Sequence, residues 1–196
     1  MDRREIDAAL NRVQEMQTLV LDHQRFSGFS GCARMSGGVA ALLTALVLRM
    51  AVPAEPRQQL MGWGVLLAFA LGVNLAGLAA WFLRGGQGVR RAEWWPVFEI
   101  FPALSAGAAL SLALILAGQF NLLFGMWMAV FGVAHMPYRR NLPFLVYCGG
   151  LVYIAAGVFC LLWPGVSFTD PRPMGLVFGL GELFGGWALI REQGKG

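Results

Sequence analysis

The sequence predicts an all-α membrane protein: a bundle of six transmembrane helices preceded by one cytoplasmic amphipathic helix. Three observations carry that fold class. Apolar residues make up 57% of the chain and charged residues 13%, where soluble domains carry about 25% charged residues. The apolar residues gather into six runs, most of them near the roughly 17–25 residues a spanning helix needs. The charges sit in the first segment and in the links between runs, with few exceptions inside them.

Residues 1–31 form the cytoplasmic helix and a joint. Ile6, Ala9, Leu10, Val13, Met16 and Val20 recur at helical spacing, with Asp7, Asn11, Glu15, Thr18 and Asp22 on the other side. This segment pairs Arg3, Arg4, Arg12 and Arg25 with five acids. A lipid-surface helix is rich in Lys and Arg, so this one is expected to dock on protein, either its own bundle or a cytoplasmic partner. No apolar stretch of a secretory signal follows Asp2-Arg3-Arg4-Glu5. Ser27, Gly28, Ser30 and Gly31 then break the helix.

Residues 32–190 form the membrane domain, with spans expected at about 35–52, 60–83, 96–117, 122–136, 143–163 and 173–190. The first ends with Arg49, which can snorkel to the headgroups, and with Pro53 and Pro56. The second has Trp63 and Trp81 near its ends as belt residues and Asn74 deep inside. The third opens at Trp94-Trp95-Pro96, with Pro96 suited to a helix start and Glu99 one turn in. Gln119 to Asn121 leaves room only for a tight turn. The fourth run ends at His135 and Pro137, and the basic link Tyr138-Arg139-Arg140-Asn141 leads into the fifth, which carries Tyr147 and Tyr153. Pro173 opens the sixth run, and residues 191–196 are a cytoplasmic tail.

Six spans put both termini on one side. Twelve of the fifteen Lys and Arg residues fall on the terminal side; Arg49, Arg57 and Arg172 fall on the other. The positive-inside rule makes the terminal side cytoplasmic, as a multi-pass protein of the cell membrane.

The sixth run holds the most informative polar residue. At about 100° per residue, Gly175, Gly179, Glu182 and Gly186 share a stripe, with Gly181 and Gly185 beside it. Small faces are where membrane helices approach each other, so Glu182 should point into the protein. A carboxylate at that depth costs at least about 2.5 kcal/mol, and it is expected to be protonated or paired. Asn74 lies at similar depth, while Glu99 and His135 lie toward the cytoplasmic side. The expected pairs are Glu182 with Asn74 and Glu99 with His135. Together these four residues form the candidate ligand-binding set.

No catalytic class is supported: there is no HExxH or Cys/His cluster and no GxSxG elbow. No cofactor is expected, since His135 lacks a second membrane histidine for haem and Lys195 is the only lysine. Cys32, Cys148 and Cys160 show no metal or redox spacing. Nothing resembles a nucleic-acid surface. In size and helix count the chain resembles the substrate-binding subunits of energy-coupling vitamin transporters, an architectural likeness that implies a solute site within the bundle. Two functions follow. The first is a small-solute binding or transport subunit with a polar intramembrane site. The alternative is a membrane-embedded interaction or signalling-accessory protein whose N-terminal helix docks a cytoplasmic partner. The partners are the lipid bilayer and, respectively, a small solute or a protein.

Overall fold

The computed structural model describes residues 30–84, 100–136 and 144–193. The N-terminal helix expected within residues 1–31 and the candidate Glu99 lie outside the described residues. What is described is all-helical, with six α-helices and no strand: α1 (Gly31–Met50), α2 (Pro56–Arg84), α3 (Phe101–Leu116), α4 (Leu123–Ala134), α5 (Phe144–Leu162) and α6 (Arg172–Gln193). Four of them, α1, α2, α5 and α6, are long and apolar enough to cross a membrane. The other two are shorter. The twelve residues of α4 rise about 18 Å, against a hydrocarbon core of about 30 Å.

The helices begin and end where local chemistry dictates. Ser30 caps α1, its hydroxyl accepting a hydrogen bond from the Ala33 N–H at 3.2 Å. That cap places Arg34 one turn inside the helix. Between α3 and α4 the chain turns at Gly118, whose φ of 69° lies in the left-handed region that favours glycine. A short 3₁₀ turn (Phe120–Leu122) then leads into α4. At the start of α6, Asp170 Oδ1 accepts from the Arg172 N–H at 3.2 Å.

Packing makes two close antiparallel pairs. In the first, α1 lies along α6. A Cβ on Gly31 would stand 2.7 Å from the Gly186 carbonyl oxygen, and one on Gly38 2.8 Å from that of Gly179. Gly175 lies against the Ala45 methyl group. The glycine stripe of α6 is thus the surface that α1 occupies. In the second pair, α4 lies along α5: a Cβ on Gly125 would stand 2.8 Å from the Gly157 oxygen, and one on Gly132 2.6 Å from that of Gly150. Without a hydrophobic force between helices in lipid, such backbone contact is a main source of association.

The pairs meet where α5 passes α6, and α2 and α3 lie outside them. One end of the assembly is filled by apolar and aromatic side chains, with Trp63, Phe124 and Phe168 buried together. The loop before α6 is tied to the 3₁₀ turn there by the Phe168 N–H, which donates to Asn121 Oδ1 at 3.0 Å. The opposite end is marked by Gly31 against Ile190. In the half of the bundle nearer that end the two pairs enclose polar groups.

Candidate functional site

Each of the four paired elements contributes one polar side chain, and the four converge. Arg34 comes from α1, Glu182 from α6, Tyr153 from α5, and His135 from the residue that ends α4. Arg34 Nη2 donates to Glu182 Oε1 at 2.9 Å, and Tyr153 Oη donates to the same oxygen at 3.0 Å. Arg34 Nε stands 2.8 Å from Glu182 Oε2. That approach is a charge contact, not an aligned hydrogen bond, and it leaves the buried Nε without a hydrogen-bond acceptor.

His135 closes the network on the other side of Arg34. Its Nε2 lies 2.7 Å from Arg34 Nη2, and its Nδ1 lies 2.8 Å from the Phe131 carbonyl oxygen. A guanidinium only donates and a carbonyl only accepts. Nε2 must therefore accept and Nδ1 must carry the hydrogen, which is the neutral imidazole. With a neutral histidine and tyrosine, the charges in the network are Arg34 and Glu182, which cancel.

Glycine makes room for each member. A Cβ on Gly185 would fall 2.8 Å from Arg34 Nε, so the guanidinium lies across bare backbone there. Gly181 does the same for the Tyr153 hydroxyl. On α5, a Cβ on Gly150 would stand 2.8 Å from the His135 Cβ. Aromatic rings fix the rest. Phe131 packs edge-on against both His135 and Tyr153, at centroid distances of 4.7 and 4.9 Å, and Phe178 lies 5.1 Å from Tyr153. The glycines beside the α6 stripe thus serve the site, and those within the stripe serve α1.

Depth follows from the helices. His135 packs against Gly150, six residues or about 9 Å into α5 from its start at Phe144. Arg34 enters from the first turn of α1 and reaches inward to Glu182, near the middle of α6. The arginine is long enough to join groups that lie at different depths. It also stands beside the C-terminus of α4, where the helix dipole favours a cation.

The four residues predicted from sequence fare differently. Glu182 and His135 belong to one network, linked through Arg34. Asn74 does not approach Glu182: its side chain is exposed on α2, and its Nδ2 donates to the Ala70 carbonyl oxygen at 2.8 Å. An amide in apolar surroundings satisfies itself on its own helix when no neighbour reaches it, and α2 lies outside the close pairs. The expected Glu182–Asn74 pair is therefore replaced by Glu182 with Arg34 and Tyr153. Glu99, the other half of the second expected pair, is not among the described residues; His135 bonds Arg34.

Arg34 and Tyr153 were missed. Arg34 precedes the apolar run by one residue and reads as an interfacial charge. Ser30 as a cap was the available signal, since it moves the helix start to Gly31 and draws Arg34 inside. Tyr153 has no signal in a single apolar sequence.

Among the described residues no three His, Cys, Asp or Glu side chains are placed to hold a metal. No family model matches this chain, nor does any curated protein or solved structure.

Proposed function

We propose that the chain is a multi-pass membrane protein, six helices crossing the bilayer with both termini in the cytoplasm, that binds or carries a small polar solute at Arg34 and Glu182. The observation that supports this most is the convergence of one polar group from each of four helices on a single charged pair. An ionised Glu182, near the middle of α6, carries an insertion cost of at least about 2.5 kcal/mol, and Arg34 reaches inward from the first turn of α1 to meet it. Their interhelical hydrogen bonds return about 0.6 kcal/mol each on average, and a buried ion pair adds little net stability over well-packed apolar residues. Glue alone is a weak reason to hold both. The pair also keeps some access: the side chains of Arg34 and Glu182 are 13% and 15% exposed.

Thermal stability of the purified protein, screened against small polar solutes, tests this reading. The double variant Arg34→Gln/Glu182→Gln keeps hydrogen bonding and removes both charges without leaving either unpaired. Wild type should be stabilised by at least one solute, and the folded double variant should lose that response. If no solute stabilises wild type while a cytoplasmic protein co-purifies through residues 1–31, the interaction-protein reading takes its place.

A further inference from the structure

We infer that the solute carries a carboxylate, which replaces Glu182 on Arg34 while Glu182 takes up a proton. This rests on the solute-site reading above and narrows it to one ligand chemistry.

The donors form a carboxylate receptor. Arg34 Nη2 and Nε face the two oxygens of Glu182, and the Tyr153 hydroxyl adds a third donor. Arg–carboxylate recognition is strongest when two parallel N–H bonds form. Glu182, tethered to α6, makes only one of them well, and the buried Nε keeps an N–H without an acceptor. A carboxylate free of the backbone can align with both.

The donors are also held by contacts other than Glu182. Arg34 lies on Gly185 and bonds His135. Tyr153 lies on Gly181 between Phe131 and Phe178. Glu182 reaches them on a side chain with three rotatable bonds. If it swings aside, the receptor stays in place.

Charge decides which solute fits. The site is neutral with Arg34 paired to Glu182. A carboxylate that binds Arg34 leaves it neutral again if Glu182 gains a proton from hydronium or the buffer acid, whose bond to hydrogen breaks as the Glu182 O–H bond forms. A cation pairing with Glu182 would strand Arg34, and an uncharged solute that parted the pair would strand both, each at the cost of an uncompensated buried charge. The titratable groups facing Glu182 are Arg34 from α1, Tyr153 from α5 and, through Arg34, His135 at the end of α4. Arg34 stays charged throughout, so Glu182 is the group that can balance an incoming anion.

A carboxylate reaches the site either as a water-soluble acid or as a fatty acid in the bilayer. The experiment uses the full chain in weakly buffered nanodiscs, with propionate, lactate and benzoate in one arm and oleate in the other. Binding is read by calorimetry and proton uptake by a pH dye, with empty nanodiscs subtracted. The expected result is uptake of one proton per carboxylate bound, with apparent Kd rising about tenfold per pH unit while free Glu182 is charged. The responding arm identifies the source. Glu182→Gln should bind the same acid with no proton uptake and no pH dependence, and Arg34→Gln should not bind it. Proton uptake by wild type tests the exchange even if neither variant folds. Carboxylate binding without proton uptake overturns the inference. So does binding of propionamide or ethylammonium in place of every acid, which leaves the broader solute reading standing. Absence of binding by any of these solutes, with no response in the wider solute screen, removes both.

Discussion

Arg34 and Glu182 stabilise the bundle mainly by cancelling one another, so their variants should not behave additively. Removing one partner of a buried ion pair costs about 3–5 kcal/mol, because the other charge is stranded. The residual exposure of both side chains places the expected loss near the lower end. Glu182→Gln and Arg34→Gln should each lower thermal stability markedly, and the double variant should be more stable than either. Equal, additive losses in a double-mutant cycle would show that the pair is not coupled. A second ion pair behaves differently because water reaches it. Asp170 accepts from Arg172 at 2.7–3.0 Å, and these bonds hold its carboxyl below the usual value. A lowered carboxyl value means stability that is present above the unfolded value and lost as pH falls through the folded one. Since the pair is exposed, that contribution is small and screened by salt. Asp170→Asn should therefore flatten the acid limb of a melting-temperature profile slightly and leave neutral pH nearly unchanged. A large loss at neutral pH would give Asp170 a role beyond this pair.

Neighbouring glycines separate helix propensity from helix contact at the scale of the element. Gly38 meets the α6 backbone, where an added Cβ would stand 2.8 Å from the Gly179 oxygen, while Gly37 has open space around it. Gly38→Ala should push α1 from α6 and cost about 1–3 kcal/mol, as overpacking does. Gly37→Ala should be neutral or slightly stabilising, since alanine restricts the unfolded chain. Thermal unfolding of the two variants side by side checks this, and matched behaviour would rule out the close α1–α6 contact. The glycine stripe of α6 and the inward aim of Glu182 were legible in the sequence, because periodicity alone sorts small residues from large ones on one helix. The partner helix was not, since a stripe of glycines says that something comes close without saying what. Asn74 shows the same limit. Depth along a helix can be counted, but the direction a lone amide faces is set by tertiary neighbours, and α2 has few. Arg34 was hidden for a different reason: its helix is entered through a cap, and hydropathy starts the run after it.

For the whole molecule, chain direction and charge make one joint prediction. Gly31 packs against Ile190, so the start of α1 and the end of α6 share one end. Ala45 packs against Gly175, and Phe168 bonds Asn121, so the α1–α2 turn, the α3–α4 turn and the loop before α6 share the other. That second end carries Arg49, Arg57 and Arg172; the links expected at the first carry the larger share of the basic residues. From the positive-inside rule we predict that the Gly31 end faces the cytoplasm. Helix length leaves one question in this scheme, because α3 and α4 are each shorter than the hydrocarbon core. The six-span proposal requires that both cross, α4 beside α5. Gly125 lies against Gly157 and Gly132 against Gly150, so α4 runs along the middle of α5, a helix long enough to span. Single cysteines in a background lacking Cys32, Cys148 and Cys160 test both statements on intact cells with a membrane-impermeant maleimide. Thr169→Cys should label from outside, whereas Arg191→Cys and Arg140→Cys should label only after permeabilisation. Reversed labelling of positions 169 and 191 would invert the orientation. Outside labelling at position 140 alone would break the six-span order and place the link between α4 and α5 on the same face as the loop before α6.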